Sequence, residues 1–69
     1  MSKFSVRLRE IRMSQGKTQA ETAEYLGLKA LRGYQYYEEG KNEPNIARLI
    51  ALADFFEVSL DYLMGRTDK

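Results

Sequence analysis

The run from Thr18 to Glu43 constrains this chain most, because it starts and stops two short helices within one small span. Thr18-Gln19-Ala20-Glu21 has the spacing of a capping box, in which the threonine hydroxyl takes an orphan N–H and the glutamate reaches back to the cap residue. A helix is predicted from about residue 19 to residue 26, with Ala23 and Leu26 three apart on one side and Glu21, Glu24 and Tyr25 elsewhere. Gly27 ends it, since glycine enters the left-handed conformation of a helix C-terminus without steric cost. After Leu28 and Lys29 the pattern resumes, with Leu31, Tyr34 and Tyr37 at three-residue steps, until Gly40 stops a second helix predicted over about 31–39. A helix this short is marginal alone and must be held by packing, which leaves its outward residues free for another task.

Three further helices flank this pair. Phe4, Leu8 and Ile11 recur at helical period and predict a helix over roughly Ser5 to Ser14, with Gly16 as its stop. Pro44 disfavours helix at Glu43, and Asn45 can cap the next helix. Ile46, Leu49, Ile50, Ala53 and Phe56 then make the most apolar segment, the expected centre of the core. Ser59 can cap a short last helix, with Asp61 in its first turn and Leu60, Leu63 and Met64 ahead of Gly65. No strand pattern, internal repeat or linker is visible, and Arg66 to Lys69 reads as a frayed end. The expectation is an all-α fold of five short helices forming a single domain over 1–69.

A chain of 69 residues buries only about 60% of its unfolded surface, so a dimer would help it. Without cysteine it has neither disulfides nor thiolate metal sites, which fits a reducing cytosol. Without histidine it lacks the commonest general base and metal ligand, so an enzyme is improbable and no metal or cofactor is expected. No apolar run approaches the ~20 residues of a membrane span, and the opening Met-Ser-Lys-Phe-Ser-Val-Arg is too charged for a signal peptide. A cytoplasmic protein with no membrane partner and no evident small-molecule ligand is expected. Net charge is +1, yet Lys3, Arg7, Arg9, Arg12 and Lys17 stand against Glu10 alone in the first 17 residues, a local +4. Such a basic end can supply phosphate contacts; on charge alone, a solvated first helix is the favoured reading.

Arg-Leu-Arg-Glu-Ile-Arg at 7–12, Thr-Gln at 18–19, Leu-Gly at 26–27, Tyr-Glu at 37–38, Gly-Lys at 40–41, Glu-Pro at 43–44 and Ser-Leu-Asp-Tyr-Leu-Met-Gly-Arg at 59–66 occur together here. In that combination the chain resembles the lambda-repressor-like (XRE, Cro/cI-type) helix-turn-helix family over residues 5–66. The resemblance implies a compact five-helix DNA-binding domain whose third helix reads bases in the major groove while the second crosses the phosphate backbone. Aligned backward from Glu38, it places Leu31, Arg32, Gln35 and Tyr36 toward the groove and Tyr34 and Tyr37 toward the core. Arginine can fork onto guanine, glutamine onto adenine, and Leu31 can touch a thymine methyl. Two alternatives stay open: Leu31 packing under the turn, and Tyr36 as a plain surface aromatic. The same resemblance assigns phosphate contacts to Thr18, Gln19, Lys41 and Asn42, and a structural pair to Arg12 and Glu38.

Two departures from the family pattern stand out. One residue more than usual separates Gly27 from Glu38, placed near Leu28 to Ala30, which leaves Ala30 where a serine or threonine usually caps helix 3. Thr22 replaces a core leucine, so its hydroxyl must bond a carbonyl one turn back. Gly33 costs about 1 kcal/mol against alanine in mid-helix and is read as marking a close approach to DNA or to helix 2.

The function expected from the resemblance is a transcription regulator, a repressor first, acting as a homodimer on a palindromic double-stranded DNA operator. Phe55, Tyr62 and Met64 are the expected dimer surface, unless they merely finish the core. The rival is a helix-turn-helix used for protein recognition, as an antitoxin-like or assembly component. The five glutamates between residues 18 and 44 lend that rival weight, because Glu39 and Glu43 flank the expected phosphate contacts.

Overall fold

Helix termini explain most of the architecture. The computed structural model describes residues 3–68, and Met1, Ser2 and Lys69 lie outside the described residues. The chain runs α1 (Lys3–Ser14), α2 (Gln19–Tyr25), α3 (Leu31–Glu39), α4 (Ile46–Phe56) and α5 (Leu60–Leu63), with no strand among the described residues. At the start of α2 the full capping box forms: the Glu21 N–H donates to the Thr18 hydroxyl and the Thr18 N–H to the Glu21 carboxylate, each at 3.0 Å. Those bonds hold the Glu21 carboxyl below the ordinary carboxylate range. Asn45 accepts from the Arg48 N–H and Ser59 from the Tyr62 N–H, starting α4 and α5.

The C-termini share one device. After α2, the Leu28 N–H reaches the Ala23 carbonyl and the Gly27 N–H the Glu24 carbonyl, the paired bonds of a Schellman stop with Gly27 at φ 72°. The same pair of bonds closes α4, but there the left-handed residue is Glu57, at φ 57°.

The core gathers Phe4, Leu8 and Ile11 from α1, Ala23 from α2, Tyr34 and Tyr37 from α3, Leu52, Ala53 and Phe56 from α4, and Leu63 from α5. This corrects the face expected for α4. Ile46 and Ile50 are 72% and 49% exposed, whereas Leu52 is fully buried. The segment is apolar nearly all round, so its period does not choose a face; packing does, and it chooses the 49/52/53/56 stripe. Leu60 is likewise exposed, at 39%, leaving Leu63 to enter the core.

The basic first helix is neither simply solvated nor simply free. Arg7 donates to the carbonyls of Tyr62 and Thr67 and lies 4.3 Å over the Tyr62 ring. It thereby reaches Thr67 and, through an ion pair at 3.8 Å, Asp68, both in the stretch expected to be frayed. Lys17 donates to the Phe55 carbonyl at 2.8 Å and Gln15 to that of Phe56, so two side chains from the α1–α2 junction satisfy the last turn of α4. Thr22 is fully buried and bonds the Thr18 carbonyl through its hydroxyl at 2.9 Å, as a threonine on a core face must.

Candidate nucleic-acid interface

Between α2 and α3 the chain spends five residues, 26–30, and starts α3 without a side-chain cap: Ala30 is extended, and only its carbonyl takes part, accepting the Gly33 N–H at 3.2 Å. What fixes α3 is its C-terminal half, where Tyr34, Tyr37 and Glu38 are buried. Glu38 is the centre of this anchorage. Its carboxylate accepts Arg12 Nε and Nη2, the Tyr34 hydroxyl and Gln19 Nε2, so helices α1, α2 and α3 meet on one charge. Arg12 uses Nη1 on the Lys17 carbonyl, 2.8 Å away. No buried side-chain polar atom among the described residues is left without a partner.

The electrostatics arise from these bonds. Burial would raise the Glu38 carboxyl, but hydrogen bonds from Arg12, Tyr34 and Gln19 together with the Arg12 charge hold it below the ordinary range. Bonding to Glu38 raises Arg12 further, and burial pushes the Tyr34 phenol up. All three groups keep their charge states across neutral pH.

Of the four residues expected to face the groove, Leu31 and Arg32 are exposed, and Gln35 and Tyr36 are half-buried. Leu31 is 43% exposed, so it does not pack under the turn. The Tyr36 ring has Arg32 and Lys41 within 5.5 and 5.6 Å of its centroid, which ties the first turn of α3 to the loop behind it through one aromatic ring. Gln35 donates to Gln19 Oε1 at 3.2 Å and accepts from Arg32 Nη1 at 3.4 Å.

The expected phosphate-side residues lie at the two ends of the motif. Thr18 has its N–H and its hydroxyl oxygen in the capping box, and the Gln19 amide is engaged at both ends, by Glu38 and Gln35. Lys41 is exposed and pairs with Glu39 at 3.2 Å. Asn42 is exposed beside it. Phe55, Tyr62 and Met64 are each half-buried against the core: Phe55 lies 4.6 Å from the Tyr25 ring, and Tyr62 lies under Arg7. Gly33 meets only a leucine methyl, since a Cβ there would come no nearer than 3.9 Å to Leu28. The expected crowding against helix 2 is therefore absent.

Sequence reading missed two things. Arg9 lines a shallow hollow with Arg12, Gln19, Glu38 and Glu39, which only the α1–α2–α3 packing creates. The Gln19–Gln35 bond joins residues 16 apart, and only the angle between α2 and α3 brings them together.

Two short helices joined through a glycine-stopped turn, locked from behind by an ion pair and with Leu31 and Arg32 exposed on the second, define a helix-turn-helix protein. A helix-turn-helix family model matches residues 8–63, and the chain belongs to that family, in its XRE-like branch. Over 64 residues it is 39% identical to the cryptic phage CTXphi transcriptional repressor RstR of Vibrio cholerae, covering 93% of this chain and 56% of that protein. It is also 39% identical over 64 residues to the SPbeta prophage-derived uncharacterized HTH-type transcriptional regulator YonR of Bacillus subtilis, with 93% and 58% covered. A crystal structure of a transcriptional regulator from Listeria innocua superposes with a TM-score of 0.87 at 30% identity, covering 100% of this chain and 64% of that one. The chain thus spans a little over half the length of these curated relatives. No helix among the described residues is long and apolar enough to cross a membrane.

Proposed function

We propose that this chain binds double-stranded DNA sequence-specifically and regulates transcription in the cytoplasm, as a repressor that occupies a palindromic operator as a homodimer. The observation that carries the reading is the outer face of α3. Leu31, Arg32, Gln35 and Tyr36 lie on it, and an arginine and a lysine flank one aromatic ring. An arginine fork on guanine and an apolar contact to a thymine methyl are the chemistry such a face offers the major groove. Thr18 and Gln19 on one side, Lys41 and Asn42 on the other, are the proposed phosphate contacts; with the side chains of Thr18 and Gln19 engaged, the unbonded N–H groups of the first turn of α2 carry that side.

One recognition helix reads only a few base pairs, so discrimination requires two, set about 34–36 Å apart by a two-fold axis. The proposed dimer contact is α5 with the segment before it, where Leu60 is exposed and Phe55, Tyr62 and Met64 retain part of their surface. Selection of bound sites from random duplexes, with titration of the best site at several salt concentrations, tests the reading. Arg32→Ala should cost about 1–3 kcal/mol and relax one base-pair position, while Lys41→Ala should weaken all sequences alike and flatten the salt dependence. No shift of any duplex at low salt would refute it and favour the protein-recognition rival, and one protomer per duplex at saturation would remove the dimer.

A further inference from the structure

The hydrogen bonds between Glu38 and Arg32 form a chain whose direction is chemically forced. A carboxylate only accepts, so Gln19 must turn its Nε2 to Glu38, 3.1 Å away. Its Oε1 then faces Gln35, which must answer with Nε2, at 3.2 Å. That leaves Gln35 Oε1 pointing outward, where the guanidinium of Arg32, a group with donors only, closes the chain at 3.4 Å. An acceptor-only group at one end and a donor-only group at the other allow neither amide to flip without breaking two bonds. The buried end is itself fixed by Arg12 and Tyr34. Arg32 meanwhile leans on the Tyr36 ring, so it is restrained from a second side.

We infer that Gln35 is a positioning residue rather than an independent base reader: with Gln19 behind it, it aims Arg32, and the pair Gln35–Arg32 reads a single guanine. This rests on the DNA-reading proposal above and assigns a division of labour within it. Arg32 stands exposed at the front of the face with four of its five N–H donors uncommitted to Gln35, enough to fork onto O6 and N7 of guanine. Gln35 is half-buried behind it, with one donor and one acceptor already engaged. An adenine fork would have to use the second N–H and the second lone pair of that amide, whose plane and direction are already set by Gln19 and Arg32 and not by the base.

The test uses the full chain and the duplex that the wild-type protein selects, with every base pair varied in turn. Arg32→Ala should erase a guanine preference at one position, a loss of about 5- to 150-fold. Gln35→Met, which keeps the length of the side chain and removes both bonds, should erase most of the preference at that same position and spare the others. The double variant should bind no worse than Arg32→Ala. Thermal melts of Gln35→Met should stay near wild type, because the Gln19–Glu38 bond survives the change, so a lost preference cannot be put down to unfolding. Gln19→Met should weaken the same position from one residue further back. Loss of a separate adenine preference in Gln35→Met, additive with Arg32→Ala, would overturn the inference and make Gln35 a reader in its own right. An unchanged preference at every position would overturn it too. If the wild type selects no sequence at all, the DNA-reading proposal falls, and this inference with it.

Discussion

Removing the Glu38 carboxylate should cost this small protein most of its stability. At ~0.05–0.15 kcal/mol per residue, a chain of this size has about 3–10 kcal/mol to lose. Glu38→Ala strands the Arg12 guanidinium, whose side chain is 13% exposed and which keeps only the Lys17 carbonyl. Breaking a buried pair from one side costs about 3–5 kcal/mol, and the low end applies here because water reaches the arginine. Tyr34, fully buried, loses the acceptor of its hydroxyl, which adds about 1–3 kcal/mol. The sum, about 4–6 kcal/mol, corresponds to a fall in Tm of at least about 16 °C for a domain this small.

Arg12→Ala should cost less, about 3 kcal/mol, because Glu38 keeps its bonds from Tyr34 and Gln19. Tyr34→Phe should cost about 1 kcal/mol, one donor of four. Urea and thermal unfolding monitored by circular dichroism measure all three. The Arg12→Ala/Glu38→Ala double variant should be no less stable than the worse single, since no lone charge then remains; where Glu38→Ala falls below the measurable range, the Arg12→Ala/Tyr34→Phe cycle tests the same cluster. Strict additivity in both cycles would refute the reasoning, because it would mean the groups do not share one carboxylate.

The folded-state carboxyl of Glu38 lies below its ordinary value of 4.5, so the unfolded chain binds the extra proton first; stability should be full above that value and fall as pH drops below it, and Glu38→Gln should flatten this acid limb in pH-dependent urea melts. Gly33→Ala adds a methyl with room to sit, so Tm should rise with up to about 1 kcal/mol of stabilisation, and a lowered Tm would show a clash that a 3.9 Å contact does not contain. Glu57 closes α4 in the left-handed region, where a side chain costs about 1–2 kcal/mol; Glu57→Gly should therefore stabilise, by less than that because glycine also frees the unfolded chain, and a destabilised variant in the same melts would count against the strain.

How much of this was legible in the sequence depended on whether the signal was local. The capping box at Thr18, the stops at Gly27 and Gly40 and the caps at Asn45 and Ser59 are settled within a few residues, and α3 spans Leu31–Glu39 where the tyrosine spacing put it. The face of α4 was not legible, because nine of its eleven residues are hydrophobic and only its neighbours distinguish Leu52 from Ile50. The fate of the basic residues was not legible either: whether Arg7 or Lys17 faces solvent depends on carbonyls 38 to 60 positions away. At the candidate site, Leu31, Arg32, Gln35 and Tyr36 were assigned to the outer face of α3 by the family resemblance and not by the residue pattern, and the bond that ties Gln35 to Gln19 was not legible, since it needs the crossing of α2 over α3.

The uncapped start of α3 gives that crossing its importance. A helix begun at Ala30 without a side-chain cap forgoes the ~1 kcal/mol that a serine or threonine would supply, and in the long turn before it Lys29 and Ala30 are exposed. The orientation of the first turn, which carries Leu31 and Arg32, must therefore come from behind. The ties that reach it are the Leu28 methyl facing Gly33, the Tyr36 ring under Arg32, and the bond from Gln35, which alone leads through Gln19 to the buried carboxylate of Glu38. On the proposed DNA-reading role, stability and base recognition thus share one group of atoms. Substitutions that weaken the Arg12–Glu38 pair should loosen the outer face of α3 before they unfold the chain, and hydrogen exchange should report the N-terminal turn of α3 opening at lower free energy than the amides around Tyr37.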